Sequence, residues 1–92
     1  TDIEDPAYAE KINLFPNPAN HMVNIELPAA VNRETPVVMF DTYGRAVYQN
    51  TFKEGEHRKN VNTSELTGGV YIVQIGTPLG GIARRKVMVV HR

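Results

Sequence analysis

None of the 92 residues is a cysteine, so neither a disulfide framework nor a thiolate zinc site can be built. An excess of charge of one sign is missing as well. Ten Lys and Arg balance ten Asp and Glu, leaving no overall field to gather nucleic acid or a membrane surface. No apolar run approaches the roughly 20 residues of a membrane span. The chain begins Thr1-Asp2-Ile3-Glu4-Asp5, without Met and without a charged-then-apolar leader. The expectation is a piece cut from a longer precursor, carrying no signal peptide of its own. No helix-length segment repeats its apolar residues at a period of 3.6.

Catalytic chemistry finds little to work with. Ser64 is the only serine, in a polar turn with no glycine-rich nucleophile elbow around it. His21, His57 and His91 fall on different elements with no ligand two, three or four residues away, whereas a metal needs convergent donors. Gly76, Gly80 and Gly81 do not open a helix, so they form no phosphate cradle; turn formation explains them. A non-enzymatic domain is expected, with no cofactor, no metal, no nucleic acid and no small-molecule substrate.

What the chain does have is β pattern. Ile12–Phe15 is a short apolar stretch ended by Pro16-Asn17-Pro18, a rigid corner because two prolines fix two φ angles and remove two ladder donors. Met22–Leu27 alternates, with Val23, Ile25 and Leu27 on one face. Val37–Asp41 and Ala46–Phe52 flank Asp41-Thr42-Tyr43-Gly44-Arg45, a hairpin loop with Gly44 at the left-handed position. His57–Val61 reads as an edge strand blunted by Arg58 and Lys59. Val70–Ile75 and Ile82–Val90 form an apolar hairpin turning at Pro78–Gly81, with Gly68 and Gly69 marking positive φ or close approach before it.

Seven strands with turns every 8–12 residues or so predict an all-β, immunoglobulin-like antiparallel β-sandwich. The predicted core is Leu14, Val23, Ile25, Leu27, Val37, Met39, Val47, Leu66, Tyr71, Val73, Ile75, Val87 and Val89. Thr1–Lys11, acidic and proline-containing, reads as a mobile linker open to proteases, and 12–92 as the domain. In Arg84-Arg85-Lys86, alternation puts Arg84 and Lys86 on one face and Arg85 on the other. The run is read either as a solvated strand face with edge protection or as a docking patch for an acidic partner.

Four blocks in order, LFPNPANHMVNIEL, VVMFDTYGRAVY, LTGGVYIVQI and KVMVV, resemble the type A C-terminal sorting domains of the type IX secretion system of Bacteroidota. The resemblance covers Ile12 to Val90. It implies a secretion signal carried by a larger cargo protein, to which Thr1–Lys11 would be the link. Such a signal is recognised in the periplasm by the type IX translocon and taken across the outer membrane. A sortase-like peptidase then removes it at the cell surface, and the cargo ends on the surface or secreted. The positions matching the family are Pro16, Asn17, Pro18, Asp41, Gly44, Arg45, Gly69, Tyr71 and Lys86, with the terminal strand. Pro16, Pro18, Gly44 and Gly69 are expected to shape backbone and Tyr71 to fill core. Arg45, Arg84, Arg85 and Lys86, with Val87 and Val89 of the last strand, are the recognition candidates. The alternative is an immunoglobulin-like accessory module of a surface protein binding glycan or protein, which an exposed aromatic platform would favour. A small hydrolase, the third class, lacks a nucleophile-base pair.

Overall fold

The alternation resolves into two packed sheets in the computed structural model, which describes residues 4–91. Among them a short helix, α1 (Pro6–Ala9), precedes seven strands. These are β1 (Asn13–Phe15), β2 (Met22–Glu26), β3 (Thr35–Phe40), β4 (Ala46–Phe52), β5 (Arg58–Asn62), β6 (Gly69–Gly76) and β7 (Ile82–Val89). One sheet has the order β1-β2-β5, the other β4-β3-β6-β7, and every strand pair is antiparallel. The expected β-sandwich is the observed one, with strand ends within two residues of the sequence reading.

Inward positions follow the period of two. Val23 and Ile25 of β2, Val37 and Met39 of β3, Val73 and Ile75 of β6, and Val87 and Val89 of β7 are almost fully buried between the sheets. Each aliphatic side chain so buried contributes about 1.5–3 kcal/mol relative to exposure. Tyr71 is buried at the start of β6, and its hydroxyl donates to Thr67 O four residues back. This is the tyrosine-corner arrangement of immunoglobulin-like sandwiches: one aromatic fills the core and ties the entering loop down by its polar tip.

Two predicted core residues sit elsewhere. Val47 is exposed because the β3–β4 register slips between Met39 and Phe40: Tyr48 faces Met39, Ala46 faces Phe40, and Val47 is the extra bulge residue. Leu66 is only partly buried, packing on the core from the loop before β6. In their place the core takes Phe52, Val61, Ile12, Ala19 and Ala83. β5 is an edge strand as expected, but Lys59 does not blunt it by pointing to water. It shares the inner face with Val61, lies over the Phe52 ring at 5.8 Å, and reaches Glu56 at 3.1 Å.

Glu4–Lys11 departs most from expectation. Predicted as part of an open linker, it is instead packed on β7. Glu4 bridges Ile82 in parallel, Asp5 N–H donates to Ile82 O, and Ala9 is buried in the core. Asp5 caps α1 by accepting from Tyr8 N–H, and Pro6 occupies the helix start, where its missing N–H costs nothing. The Arg85 guanidinium donates to Ala9 O and Ile12 O, satisfying carbonyls at the helix exit. The rest of the predicted linker, residues 1–3, and Arg92 lie outside the described residues.

Candidate recognition surface

β7 is the element on which the singled-out residues converge. Val87 and Val89 point into the core, and the Pro16-Asn17-Pro18 corner is laid along the strand's C-terminal end. Ala19 N–H donates to Met88 O, Val90 N–H to Ala19 O, and Met88 N–H to Asn17 Oδ1. The corner therefore presents three hydrogen-bonding groups to a strand that a longer, flexible connection would leave open. The same end is pinned by Thr63, fully buried, whose Oγ1 donates to Asn20 O at 3.0 Å and whose N–H donates to His21 O at 2.8 Å. His91 rests against Leu66 O and Asn20 Oδ1.

At this end too, the β3–β4 loop meets the loop entering β6. Asp41 organises the first: its carboxylate accepts from Tyr43 N–H, Arg45 N–H and Arg45 Nε, each at 2.9 Å. Those bonds, the Arg45 N–H foremost, hold the Asp41 carboxyl below its ordinary range. Gly44 turns the chain at φ 81°. Arg45 lies over the Tyr43 ring at 5.4 Å, and both are strongly exposed. A cleft of about 340 Å³ separates Tyr43 and Arg45 from Glu65, Thr67 and Gly69. Gly69 has φ 154°, and a Cβ on Gly68 would press on Val89 O at 3.4 Å, so the doublet answers both to backbone conformation and to close approach.

The basic run divides as alternation requires. Arg84 and Lys86 project from the outer face of the four-stranded sheet, where a shallow depression joins them to Phe40, Ile72 and Gly44. Arg84 donates to Gln74 Oε1 and pairs with Glu4 at 2.8 Å. Arg85 faces the other way and is occupied by α1, which removes it from the outer face. Pro16, Asn17, Pro18, Asp41, Gly44, Arg45, Gly69, Tyr71, Val87 and Val89, drawn from four separated blocks, thus gather at one end of the sandwich, with Arg84 and Lys86 beside it.

The model of one family, described as the secretion system C-terminal sorting domain, matches residues 13–90. The chain belongs to that family. A solved structure of a DUF3244 family protein from Bacteroides vulgatus ATCC 8482, with an immunoglobulin-like β-sandwich fold, superposes with a TM-score of 0.68 at 15% identity. That likeness covers 85% of this chain and 83% of the other, and shows the fold. Comparison with curated proteins finds no match.

A type IX sorting domain addresses its protein for export to the surface or beyond, and does so through the type IX machinery. Among the described residues of the sorting domain no helix is long and apolar enough to cross a membrane. Two residues that matter to this end of the domain stand outside the expected recognition set. Tyr43 is 83% exposed at the tip of the Asp41 loop, and its only signal is its place one residue before the turn glycine. Thr63 carries no signal at all, because a threonine in a polar turn looks like any surface residue until the corner it holds is seen.

Proposed function

We propose that the sandwich works as a folded address, read by the type IX translocon while the cargo waits in the periplasm, and that it catalyses nothing. One observation carries this reading: the residues matching the family collect at a single end of the molecule, with Lys86 on the adjoining sheet face, although they are up to 73 positions apart (Pro16 to Val89). Packing alone does not require an exposed Tyr43–Arg45 pair there. Arg45, Arg84 and Lys86 are the charged groups offered to the machinery, and Pro16, Pro18, Gly44, Gly69 and Tyr71 hold the backbone that presents them. A sortase-like peptidase then separates domain from cargo. Since Asp5 onward is bound to β7 and an extended chain must enter a protease site, the cut falls upstream of Glu4. Mass spectrometry of a mature cargo ending between Glu4 and Val90 would contradict that placement.

The test is a fusion. A periplasmic reporter carrying this domain at its C-terminus, made in a bacterium with a working type IX system, is expected at the cell surface or in the medium. The same fusion in a strain lacking the translocon should remain in the periplasm, and equal surface display in both strains would reject the reading. An accessory glycan-binding module gains no support: among the described residues Tyr8 and Tyr48 are half-buried against the core, and exposed Phe15 lies on β1 of the other sheet.

A further inference from the structure

The free edge of β7 already holds an extended piece of this chain. Hydrogen-bonded and non-hydrogen-bonded positions alternate along an antiparallel strand. Ile82 O and Met88 O accept from outside the β6–β7 ladder, so the even positions of β7 turn their N–H and C=O groups away from β6. The edge is closed at one end by Asp5 and at the other by Asn17 and Ala19. Between them the backbone groups of Arg84 and Lys86 have no strand partner on that side among the described residues. Pro6 stops the pairing begun at Glu4 and Asp5, having no N–H to continue it. The segment then leaves as α1, and an open depression of about 310 Å³ lies between Glu4, Asp5, Pro6, Ala9 and Glu10 on one side and Arg84 and Arg85 on the other.

We propose that Glu4–Ala9 is a strap over a strand-addition site. When the strap lifts, the Arg84 and Lys86 backbone takes up an extended acidic segment of a protein partner as a further strand of the four-stranded sheet. The occupant's chemistry is read from the strap itself, where Glu4 lies extended beside Ile82 with its carboxylate on Arg84. A second acidic residue two positions along would meet Lys86, which has no carboxylate partner among the described residues. A second copy of β7 is the wrong occupant, since it would set Arg84 and Lys86 against their own kind. The sorting reading enters only in taking the partner to be part of the secretion machinery.

The strap is tested on the full chain by NMR. The Asp5→Ala variant removes the helix cap and touches no side chain of β7. The probe is a blocked peptide of alternating Val and Glu, with a Val–Lys peptide as the charge control. The amides of Ala9 and Glu10 should exchange at least tenfold faster than those of Tyr71 and Val73. The Val–Glu peptide should bind Asp5→Ala about fivefold tighter than the unaltered chain, as expected when a lost cap raises the open fraction. Its shifts should centre on Arg84–Lys86, and the Val–Lys peptide should bind neither protein. Strap amides exchanging together with the sheet, equal affinity for both proteins, shifts elsewhere, or no binding at all would overturn the proposal. No secretion component is present, so such a failure leaves the sorting reading standing. A fusion that is not exported would remove that reading and leave the strap.

Discussion

The domain contains the same hairpin loop twice. In Asp41–Arg45 the first N–H donates to the last C=O at 2.9 Å, and Gly44 N–H donates to Asp41 O at 3.1 Å. In Thr77–Gly81 the equivalent distances are 2.9 Å and 3.1 Å, with Gly80 at φ 88° in the place of Gly44 at 81°. Both are three-residue loops closing on a left-handed glycine. Thr77 gives its hydroxyl oxygen to Gly81 N–H and nothing more, and the tip carries Leu79, 93% exposed. Asp41 gathers Tyr43 and Arg45 into a charged, aromatic tip. A plain threonine therefore suffices to make this turn, and the Tyr43–Arg45 pair is surplus to folding. The return strands reverse the ranking. β4 buries only Phe52 fully, whereas β7 buries Ala83, Val87 and Val89. One hairpin has an elaborate tip on a lightly buried strand, the other a plain tip on a strand the core cannot lose.

The two return strands should differ most in what they contribute to stability. Val87→Ala together with Val89→Ala removes buried methyl groups that no neighbour can replace, an expected loss of about 4–6 kcal/mol from transfer and cavity terms. Against a native stability of roughly 5–15 kcal/mol, this brings the domain to the edge of unfolding. Deleting 86–92 should unfold it outright and leave a fused cargo in the periplasm. Val47→Ala, at the bulge of β4, should cost no more than about 0.5 kcal/mol. Denaturant titration of the three proteins checks the ranking. A Val47→Ala loss as large as that of the β7 double variant would erase the distinction between the strands.

Next come the glycines, which should not differ. Neither Gly44 nor Gly80 has an atom within 4 Å of where a Cβ would stand, so alanine at either site pays only for left-handed backbone. That strain is about 1–2 kcal/mol for a residue with a Cβ. Gly44→Ala and Gly80→Ala should lower stability equally, to within about 0.5 kcal/mol, by chemical unfolding. A clear excess at Gly44 would mean that the decorated tip is part of the folding apparatus after all.

How far the sequence could be read follows from the range of each interaction. Strands and both loops were legible because alternation, glycine and proline act within a few residues of themselves. Val47 reads as core because a bulge shifts register without altering local pattern. Phe52 was overlooked because β4 looks half-polar, and its burial depends on Lys59 and the opposite sheet. The Pro16-Asn17-Pro18 corner was legible as a turn but not as the partner of Met88, some 70 residues away. Glu4–Lys11 reads as linker for the same reason: its acidic, proline-containing composition is local, whereas the Arg85 guanidinium on Ala9 O and Ile12 O and the Asp5–Ile82 bond reach it from over 70 residues away. Among the candidate recognition residues, the side on which Arg84 and Lys86 lie was legible from alternation. The meeting of the Asp41 and Gly69 loops was not, since it requires the order β4-β3-β6-β7.

The surplus tip sharpens the contrast on the functional side. Tyr43→Ala with Arg45→Ala changes exposed groups and should move stability by no more than about 0.5 kcal/mol. Leu79→Ala, at the equivalent tip of the plain loop, should be as mild. Their effects on export should separate: the first should leave a fused reporter largely in the periplasm, the second should not. Equal surface display of both, with unfolding curves unchanged, would take recognition away from the decorated loop and leave it to the outer face of β7.

The smallest effect expected is one of acid. The Asp41 carboxyl is held below the ordinary aspartate value of 3.8, first by Arg45 N–H and then by the Arg45 guanidinium and Tyr43 N–H. A group whose folded pKa is lowered stabilises the fold fully above its unfolded pKa, and that contribution is lost as pH falls through the folded value. The Asp41 share is therefore intact at neutral pH and is lost progressively as pH falls below about 4. Thr77, its counterpart, does not titrate, so the plain loop has no such window. Glu26, bonded first to Arg58, and Glu56, bonded first to Lys53 N–H, are also lowered from 4.5, so the domain as a whole should weaken in acid. Asp41→Thr copies the plain loop into the decorated one. It should lower the melting temperature slightly at pH 7 and by less at pH 3, where the unaltered carboxyl has begun to lose its advantage. Melting curves at the two pH values measure this directly. An Asp41→Thr penalty that persists undiminished into acid would show that the aspartate stabilises its loop by shape and not by charge.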